Sequence, residues 1–311
     1  MAYYLGIDTS NYTTSTALFD TDSYNMIQRK ELLKVKDGQK GLRQSEALFQ
    51  HVKALPILME ELCGSGVDIK AVGYSSKPRD AEGSYMPCFL AGEEAARCIA
   101  AVKGIPCYSF SHQAGHIAAA LFSINKLQMI EEPFIAFHVS GGTTDVVLVK
   151  PDKDNLFKIE PLASSLDLKA GQVIDRVGLM LGINFPAGPE LEKLALKSNR
   201  KFKVHPCLKG SDCCLSGLEN ICADMIKSGE PKCDVARFCL EYIKVTLDKM
   251  AQSVLDKIGR LPLLFAGGVM SNTIIKEFMT EKYGAYFAKP GFSSDNAAGI
   301  AALTKIKTEG L

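Results

Sequence analysis

Two apolar hairpins, each turning on a loop of glycine and small hydroxyl residues, constrain this chain more than any other feature. The first reads YYLGID, then TSNYTTS, then TALFD; the second begins at Phe134 and reads FIAFHV, SGGTT, DVVLVK. Apolar runs bounded by such turn residues predict strands. Turns of this composition expose backbone N–H groups of the kind that hold phosphate oxygens. One Gly-Gly turn is an ordinary turn. Two of them, each opening a segment of alternating strand and helix, predict a duplicated α/β domain facing one nucleotide.

The intervening patterns agree. Helices are expected over 43–63, 89–103 and 234–258, with IKAVGYSS and IPCYSF as strands and VIDRVGLMLG as a helix stopped by INFPAGP. PLLFAGGVMSN reads as strand, Gly-rich turn and helix start with Asn272 near the N-cap, and Ser294 or Asp295 is expected to cap a last apolar helix. The third Gly-rich turn, at 266–268, completes a set that fits the actin-like/sugar-kinase/heat-shock ATPase (ASKHA) fold, an α/β architecture of two duplicated domains closing on a nucleotide. The expected boundaries are 1–125 for the first domain and 126–295 for the second, with a terminal helix, 296–311, packing back on the first.

Composition bounds the function classes. The 311 residues carry a net charge of +1, so no global basic field announces nucleic acid, although a local patch is invisible in the total. The ten cysteines form no CxxC pair and are expected to be reduced thiols, with Cys207, Cys213 and Cys214 exposed. MAYYLGIDTS enters a strand directly, and no apolar run approaches membrane-spanning length, so the cytoplasm is the expected location, with no membrane partner.

SFSHQAGHIAAAL, at 109–121, places His112 and His116 on one helix face. They are either two ends of a metal grip or ordinary polar residues at a helix start; a grip needs a third ligand from elsewhere. His51 reads as a surface or core residue, His138 as packed within a strand, and His205 as part of a polar loop. Lys77-Pro78-Arg79 and the run KSNRKFKVH (197–205) are either solvated or meet a phosphate backbone. No HExxH is present, so peptide hydrolysis is unsupported.

Seven blocks in order resemble the catalytic subunit family of tRNA threonylcarbamoyladenosine synthases, called TsaD in bacteria. LGIDTS (5–10) is similar to its first phosphate hairpin, SHQAGHIAA (111–119) to its metal motif, and VSGGTTDVVLV (139–149) to its second hairpin; DRVGLMLGINFPAGP (175–189), LSGLEN (215–220), AGGVMSN (266–272) and SSDNAAGIA (293–301) follow. The resemblance implies a metal held by His112, His116 and Asp295, a set suited to Fe or Zn. It places Thr9, Ser10 and Asn11 in a phosphate hairpin, and Val139, Ser140, Gly141 and Gly142 against ATP or an acyl-adenylate, with Mg as a possible companion ion. Asp175 would bind ribose hydroxyls, Gly188 would allow close backbone approach, and Asn272 would lie on the adenosine side. The implied activity is transfer of a threonylcarbamoyl group from its adenylate to N6 of adenosine 37 in tRNA, with partner subunits or a homodimer or heterodimer.

The chain departs from that pattern at five places. Asn11-Tyr12-Thr13-Thr14 stands where the family has Cys-Asp-Glu-Thr, Thr143 where it has His, and Lys77-Pro78-Arg79 where it has Gly-Pro-Gly; Arg176 and Glu219 each stand at a Lys position. This is the pattern of a divergent paralog. The alternatives are a non-catalytic nucleotide- and metal-binding partner or regulator, and a carbamoyl or acyl transferase on a related adenylate. A small-molecule kinase of the same fold lacks a candidate catalytic Asp here.

Overall fold

The computed structural model describes residues 2–10, 12–35, 42–64, 66–293 and 297–311. The chain divides into two compact units, Met1–Met129 with Gly291–Leu311, and Ile130–Pro290.

In the first unit, β1 (Tyr3–Asp8), β2 (Thr13–Asp20) and β3 (Asn25–Leu32) form an antiparallel meander, and β4 (Ile69–Lys77) and β5 (Cys107–Ser111) extend it in parallel beyond β1. The sheet order is β3-β2-β1-β4-β5. Helices α1 (Gln44–Cys63) and α2 (Leu90–Lys103) make the crossovers that parallel strands require. Leu5, Ile7, Leu18 and Val72 bury one sheet face against Leu55 and Leu62 of α1 and Ala96 of α2.

The last helix, α9 (Ala298–Glu309), belongs to this unit and packs with α3 (His112–Ser123) closely enough for backbone to meet backbone at Gly299 and Gly115. A Cβ added at Gly6 of β1 would lie 2.4 Å from Ala301 N, and one at Gly73 of β4 would lie 1.9 Å from Thr304 Oγ1. At the helix crossing, a Cβ on Gly299 would come within 1.7 Å of the Gly115 carbonyl oxygen. Only glycine permits that approach.

The second unit repeats the plan. Strands β6 (Phe134–Val139), β7 (Thr144–Asp152) and β8 (Leu156–Ser164) form the meander. After them come α4 (Ala170–Met180), α5 (Gly188–Ala195), a small ribbon of β9 (Cys207–Lys209) and β10 (Asp212–Cys214), α6 (Ser216–Lys227) and α7 (Lys232–Ile258). Strand β11 (Leu263–Ala266) then pairs in parallel with β6, α8 (Thr273–Tyr283) follows, and β12 (Tyr286–Phe287) completes the order β8-β7-β6-β11-β12. The order matches that of the first sheet strand for strand. Phe137, Phe265 and Phe287 stack across three neighbouring strands with centroids 4.5 and 5.0 Å apart, each pair worth about 0.5–1.5 kcal/mol beyond its buried area.

The cysteine expectation needs correction. Cys207 is exposed and Cys214 half-buried, but Cys213 is fully buried between β8 and the core, while Cys98 and Cys107 are exposed. Burial pushes the Cys213 thiol up to about 11. Alternation along a three-residue strand turns neighbours to opposite faces, which a CC doublet does not reveal. Among the described residues, no helix is long and apolar enough to cross a membrane.

Gly299→Ala should destabilise the protein by at least about 2 kcal/mol in urea unfolding, because the added carbon meets backbone that cannot rotate away. Gly217→Ala, in α6 with open space around it, should change stability by less than about 0.5 kcal/mol. Equal effects would contradict the close crossing of α3 and α9.

Candidate functional site

In the first unit the C-terminal end of β1 delivers Asp8 beneath the start of α3. Asp8 is only 1 % exposed, so its carboxylate needs donors to be tolerated there. It has them: Ser10 Oγ donates to Oδ2 at 2.9 Å, Ser75 Oγ donates to Oδ1, and His112 Nδ1 lies 3.0 Å from Oδ2. A proton on Nδ1 satisfies that last contact and leaves the His112 Nε2 lone pair pointing away. There it meets His116, whose Nε2 is 2.9 Å from His112 Nε2. That contact is a hydrogen bond between the rings. Two imidazole nitrogens bound at about 2.0–2.1 Å to one ion stand about 2.9 Å apart when cis at a right angle and about 3.3 Å apart in a tetrahedron, so a small opening of the pair admits a metal. A carboxylate behind a ligating histidine is the usual support for such a site. Sequence reading did not single out Asp8; its signal was an acid closing the apolar run YYLGID.

The surroundings of the pair are tied together by hydrogen bonds and an ion pair. Ser111 caps α3 by accepting Ala114 N–H at 3.2 Å and donates to Asp80 Oδ2 at 2.8 Å. Pro78 O accepts Gln113 N–H, and Lys77 pairs with Asp80 at 3.2 Å. The Lys77-Pro78-Arg79 turn therefore buttresses the histidine helix rather than standing free. His51 is fully buried, with Nδ1 2.8 Å from Thr14 Oγ1, and so is a core residue.

Thr9 and Ser10 are buried, and their hydroxyls are spent on the protein. Thr9 Oγ1 donates to Cys88 O and accepts Gly92 N–H at the start of α2, while Ser10 serves Asp8. Asn11 and Asp295 lie outside the described residues. Among the described residues no group of three metal-ligating side chains converges; the structure brings together His112 and His116 with Asp8 behind them.

In the second unit the β6–β7 turn, Ser140 to Thr143, is closed by Ser140 N–H donating to Thr143 O at 2.7 Å, and Ser140 Oγ accepts the N–H groups of Gly142 and Thr143. Gly141 and Gly142 are exposed, with open space where a Cβ would be, and the Gly141 N–H has no protein acceptor among the described residues. The N-terminus of α4 docks on this turn. Ala170 N–H donates to Thr144 Oγ1 at 2.9 Å, Gly171 N–H donates to Ser140 O, and a Cβ on Gly171 would lie 2.6 Å from Gly141 N. On the other side Gly267, at φ +102°, abuts the Val139 carbonyl. Val139, Ser140, Gly141 and Gly142 thus form one open cradle with a helix N-terminus against it.

Asp175, one helical turn into α4, accepts Ala187 N–H on Oδ1 at 2.9 Å and fixes the loop before α5; Gly188 then begins α5. A Cβ at Gly188 would meet nothing nearer than 3.9 Å, so packing within the chain does not demand glycine there. Asn272 is the N-cap of α8, its Oδ1 accepting Ile275 N–H at 3.2 Å. Arg176 and Glu219, two separate departures in the sequence, pair with each other at 2.9 Å across α4 and α6.

The loop feeding α4 hangs on Asp167, which sequence reading passed over. It accepts the N–H groups of Leu168, Leu215 and Ser216 and the Ser216 hydroxyl at 2.6–3.1 Å. Partial burial pushes its carboxyl up, but the hydrogen bond from the Ser216 side chain and those from the three N–H groups outweigh it and hold the carboxyl below the usual carboxylate range.

Two outcomes are expected. Asp8→Asn should weaken Zn²⁺ binding about 10–100-fold in calorimetric titration, with the fold retained. Because the folded Asp167 carboxyl titrates below its unfolded value, its stabilisation is complete above pH about 4 and is lost as pH falls through the lower folded value. The stability deficit of Asp167→Asn relative to the parent should therefore shrink as pH is lowered from 5 towards 2; a deficit that is constant with pH would contradict this assignment.

The sequence profile of the TsaD family, described as tRNA N6-adenosine threonylcarbamoyltransferase, matches residues 32–302. The match begins at the end of β3 and so leaves out the first hairpin. Among solved structures, component A of (R)-2-hydroxyglutaryl-CoA dehydratase from Acidaminococcus fermentans is similar over 99 % of this chain and 100 % of its own, with TM-score 0.58 and 15 % identity. Full-length HypF in its phosphate- and nucleotide-bound form is similar over 99 % of this chain and 46 % of its own, with TM-score 0.61 and 12 % identity. The 2-hydroxyisocaproyl-CoA dehydratase activator from Clostridium difficile with bound ADPNP is similar over 99 % of this chain and 98 % of its own, with TM-score 0.52 and 14 % identity. At these identities the likeness establishes the ASKHA fold.

Proposed function

This chain belongs to the TsaD family of tRNA N6-adenosine threonylcarbamoyltransferases, and on that premise we propose that it transfers a threonylcarbamoyl group from threonylcarbamoyl-adenylate to N6 of adenosine 37 in tRNA. The observation that carries the reading is the convergence of His112 and His116 with Asp8 fixing one imidazole. In the transfer the adenosine N6 attacks the carbamoyl carbon, a C–N bond forms, the bond to the phosphate oxygen of AMP breaks, and AMP leaves as the amine loses a proton. His112 and His116, with Asp295 as the proposed third ligand, are the holders of a divalent ion, Fe or Zn, which supplies Lewis acidity toward the carbonyl when bound.

This chain's own residues do the remaining work. The cradle from Val139 to Gly142 offers backbone donors to a phosphate, helped by the α4 N-terminus. Asp175 spends only Oδ1 on Ala187, and its second oxygen is the one assigned to ribose hydroxyls. Asn272 keeps its amide NH₂ for the adenosine side, since its oxygen caps α8. Gly188 holds backbone close to the same ligand. The Thr9 and Ser10 hydroxyls are engaged within the protein, so the first hairpin contributes backbone contacts, and Mg accompanies the nucleotide phosphates. Partner subunits complete the assembly.

A second reading, a non-catalytic partner or regulator, is favoured by Thr13. It is buried within β2 at a position where the resembled family has an acid.

Complementation of a strain depleted of its own TsaD separates the readings, with modified adenosine 37 counted by mass spectrometry of digested tRNA. The transfer reading predicts restored modification by the parent. His112→Ala and His116→Ala should lose more than the roughly 10–100-fold that follows removal of a group merely supporting a ligand. Unmodified tRNA in the presence of folded, expressed parent protein would favour the regulator.

A further inference from the structure

Between α5 and β9 the chain runs 197–209 without a single acidic residue, while carrying Lys197, Arg200, Lys201, Lys203 and Lys209. Its burial alternates with period two. Lys201, Lys203, His205, Cys207 and Lys209 are exposed, whereas Phe202, Val204, Pro206 and Leu208 are half-buried. That is the signature of an extended chain with one face on the protein, in which outward side chains recur about every 6.6–6.8 Å.

The inward face is firmly held. Phe202 packs edge-on against Phe238 of α7 at 5.3 Å, and Val204 and Leu208 lie on the core of the second unit. Tyr242 of α7 accepts Cys207 N–H at 3.3 Å and donates to His205 O at 3.5 Å. The outward face is held less: Cys207 meets Cys214 across the ribbon. Arg200 is neutralised by Glu230 and Asp234, but Lys197, Lys201, Lys203 and Lys209 make no ion pair among the described residues. Asp212 stands opposite Lys209 in the ribbon, yet its Oδ1 accepts Ser164 N–H and no salt bridge forms. Arg176, Lys193, Lys227 and Lys282 of this unit each have an acidic partner. Lys153, Lys249, Arg260 and Lys276 form no ion pair among the described residues either, so what sets Lys201, Lys203 and Lys209 apart is their shared outward face. Lysines of like charge on one face repel one another, with Asp212 opposite Lys209 the one facing acid in the ribbon, and a polyanion relieves that repulsion.

We propose that the outward row Lys201, Lys203 and Lys209 is a docking rail for the phosphodiester backbone of the RNA substrate. The proposal rests on the tRNA-transfer reading and adds to it the surface by which the RNA is held. Lys201 and Lys203 are neighbours on this face and Lys209 lies three outward positions further along, a spread that suits a repeating polyanion better than a single phosphate group. A membrane surface is the poorer fit, because the outward positions carry no large apolar side chain to enter a lipid interface. The rail supplies affinity and orientation, not base reading.

The test uses the full chain and an unmodified tRNA transcript, with binding read by fluorescence anisotropy over a range of salt concentrations. Lys201→Gln, Lys203→Gln and Lys209→Gln combined should weaken binding at least about tenfold at low salt. The magnitude of the log–log salt slope should fall by about 2–3, since each lost phosphate contact removes about 0.7–0.9. The urea midpoint and ATP binding should be unchanged. The paired lysines Lys193, Lys227 and Lys282, neutralised together as a control, should have a clearly smaller effect on the slope. The rail is overturned, with the transfer reading intact, if the parent binds tRNA and the rail variant binds with the same affinity and slope, or if the control costs as much. It is also overturned if the rail variant loses binding to phosphatidylserine vesicles but not to tRNA. A parent that binds no tRNA at any salt concentration removes both the rail and the transfer reading.

Discussion

The site of the first unit depends on one buried carboxylate. Asp8 sits at the end of a strand with no water to solvate it, so two serine hydroxyls and an imidazole must point at it. Those same contacts determine what the neighbours can do. Ser10 is removed from direct use, Ser75 is locked into β4, and His112 is held with Nε2 outward. His116, four residues on, needs only the helix to bring its own Nε2 to the same point. The close crossing of α3 and α9 at Gly115 and Gly299 then fixes where that helix lies.

The two units share more than strand order. In each, the hairpin beside the first strand is tied to the N-terminus of a following helix by a threonine hydroxyl accepting a backbone N–H: Thr9 from Gly92 in the first, Thr144 from Ala170 in the second. A helix N-terminus leaves unpaired donors, and using the hairpin to satisfy one of them pulls the positive end of the helix dipole onto the turn. What differs is the turn itself. In the second unit Gly141 and Gly142 stay open, whereas in the first Thr9 and Ser10 are buried and Tyr12 is half-buried. The duplicated frame thus carries two different local arrangements, a histidine pair beside Asp8 and an open glycine turn against a helix N-terminus.

Much of this was legible in the sequence because periodicity reports burial directly. The helices at Gln44–Cys63 and Lys232–Ile258, the paired hairpins and the Asn272 cap lie where pattern and turn chemistry place them. The less regular parts were not. Strand β3 is polar and half-exposed, so it lacks the alternation that marks a strand, and β8 is interrupted by Pro161. Asp8 and Asp167 are single acids whose importance lies in the donors that folding gathers around them from positions up to 104 residues away. The Arg176–Glu219 pair looked like two unrelated departures until α4 and α6 were seen side by side. The basic run was visible at 197–205; the place of Lys209 and the alternation of anchored and outward side chains became apparent only from burial.

The most direct test of the histidine pair is X-ray absorption spectroscopy of the Zn²⁺-loaded protein. Two imidazole nitrogens at about 2.0–2.1 Å are predicted in the metal shell of the parent, falling to one in His116→Ala. A shell of oxygen ligands alone, unchanged by that substitution, would contradict the account.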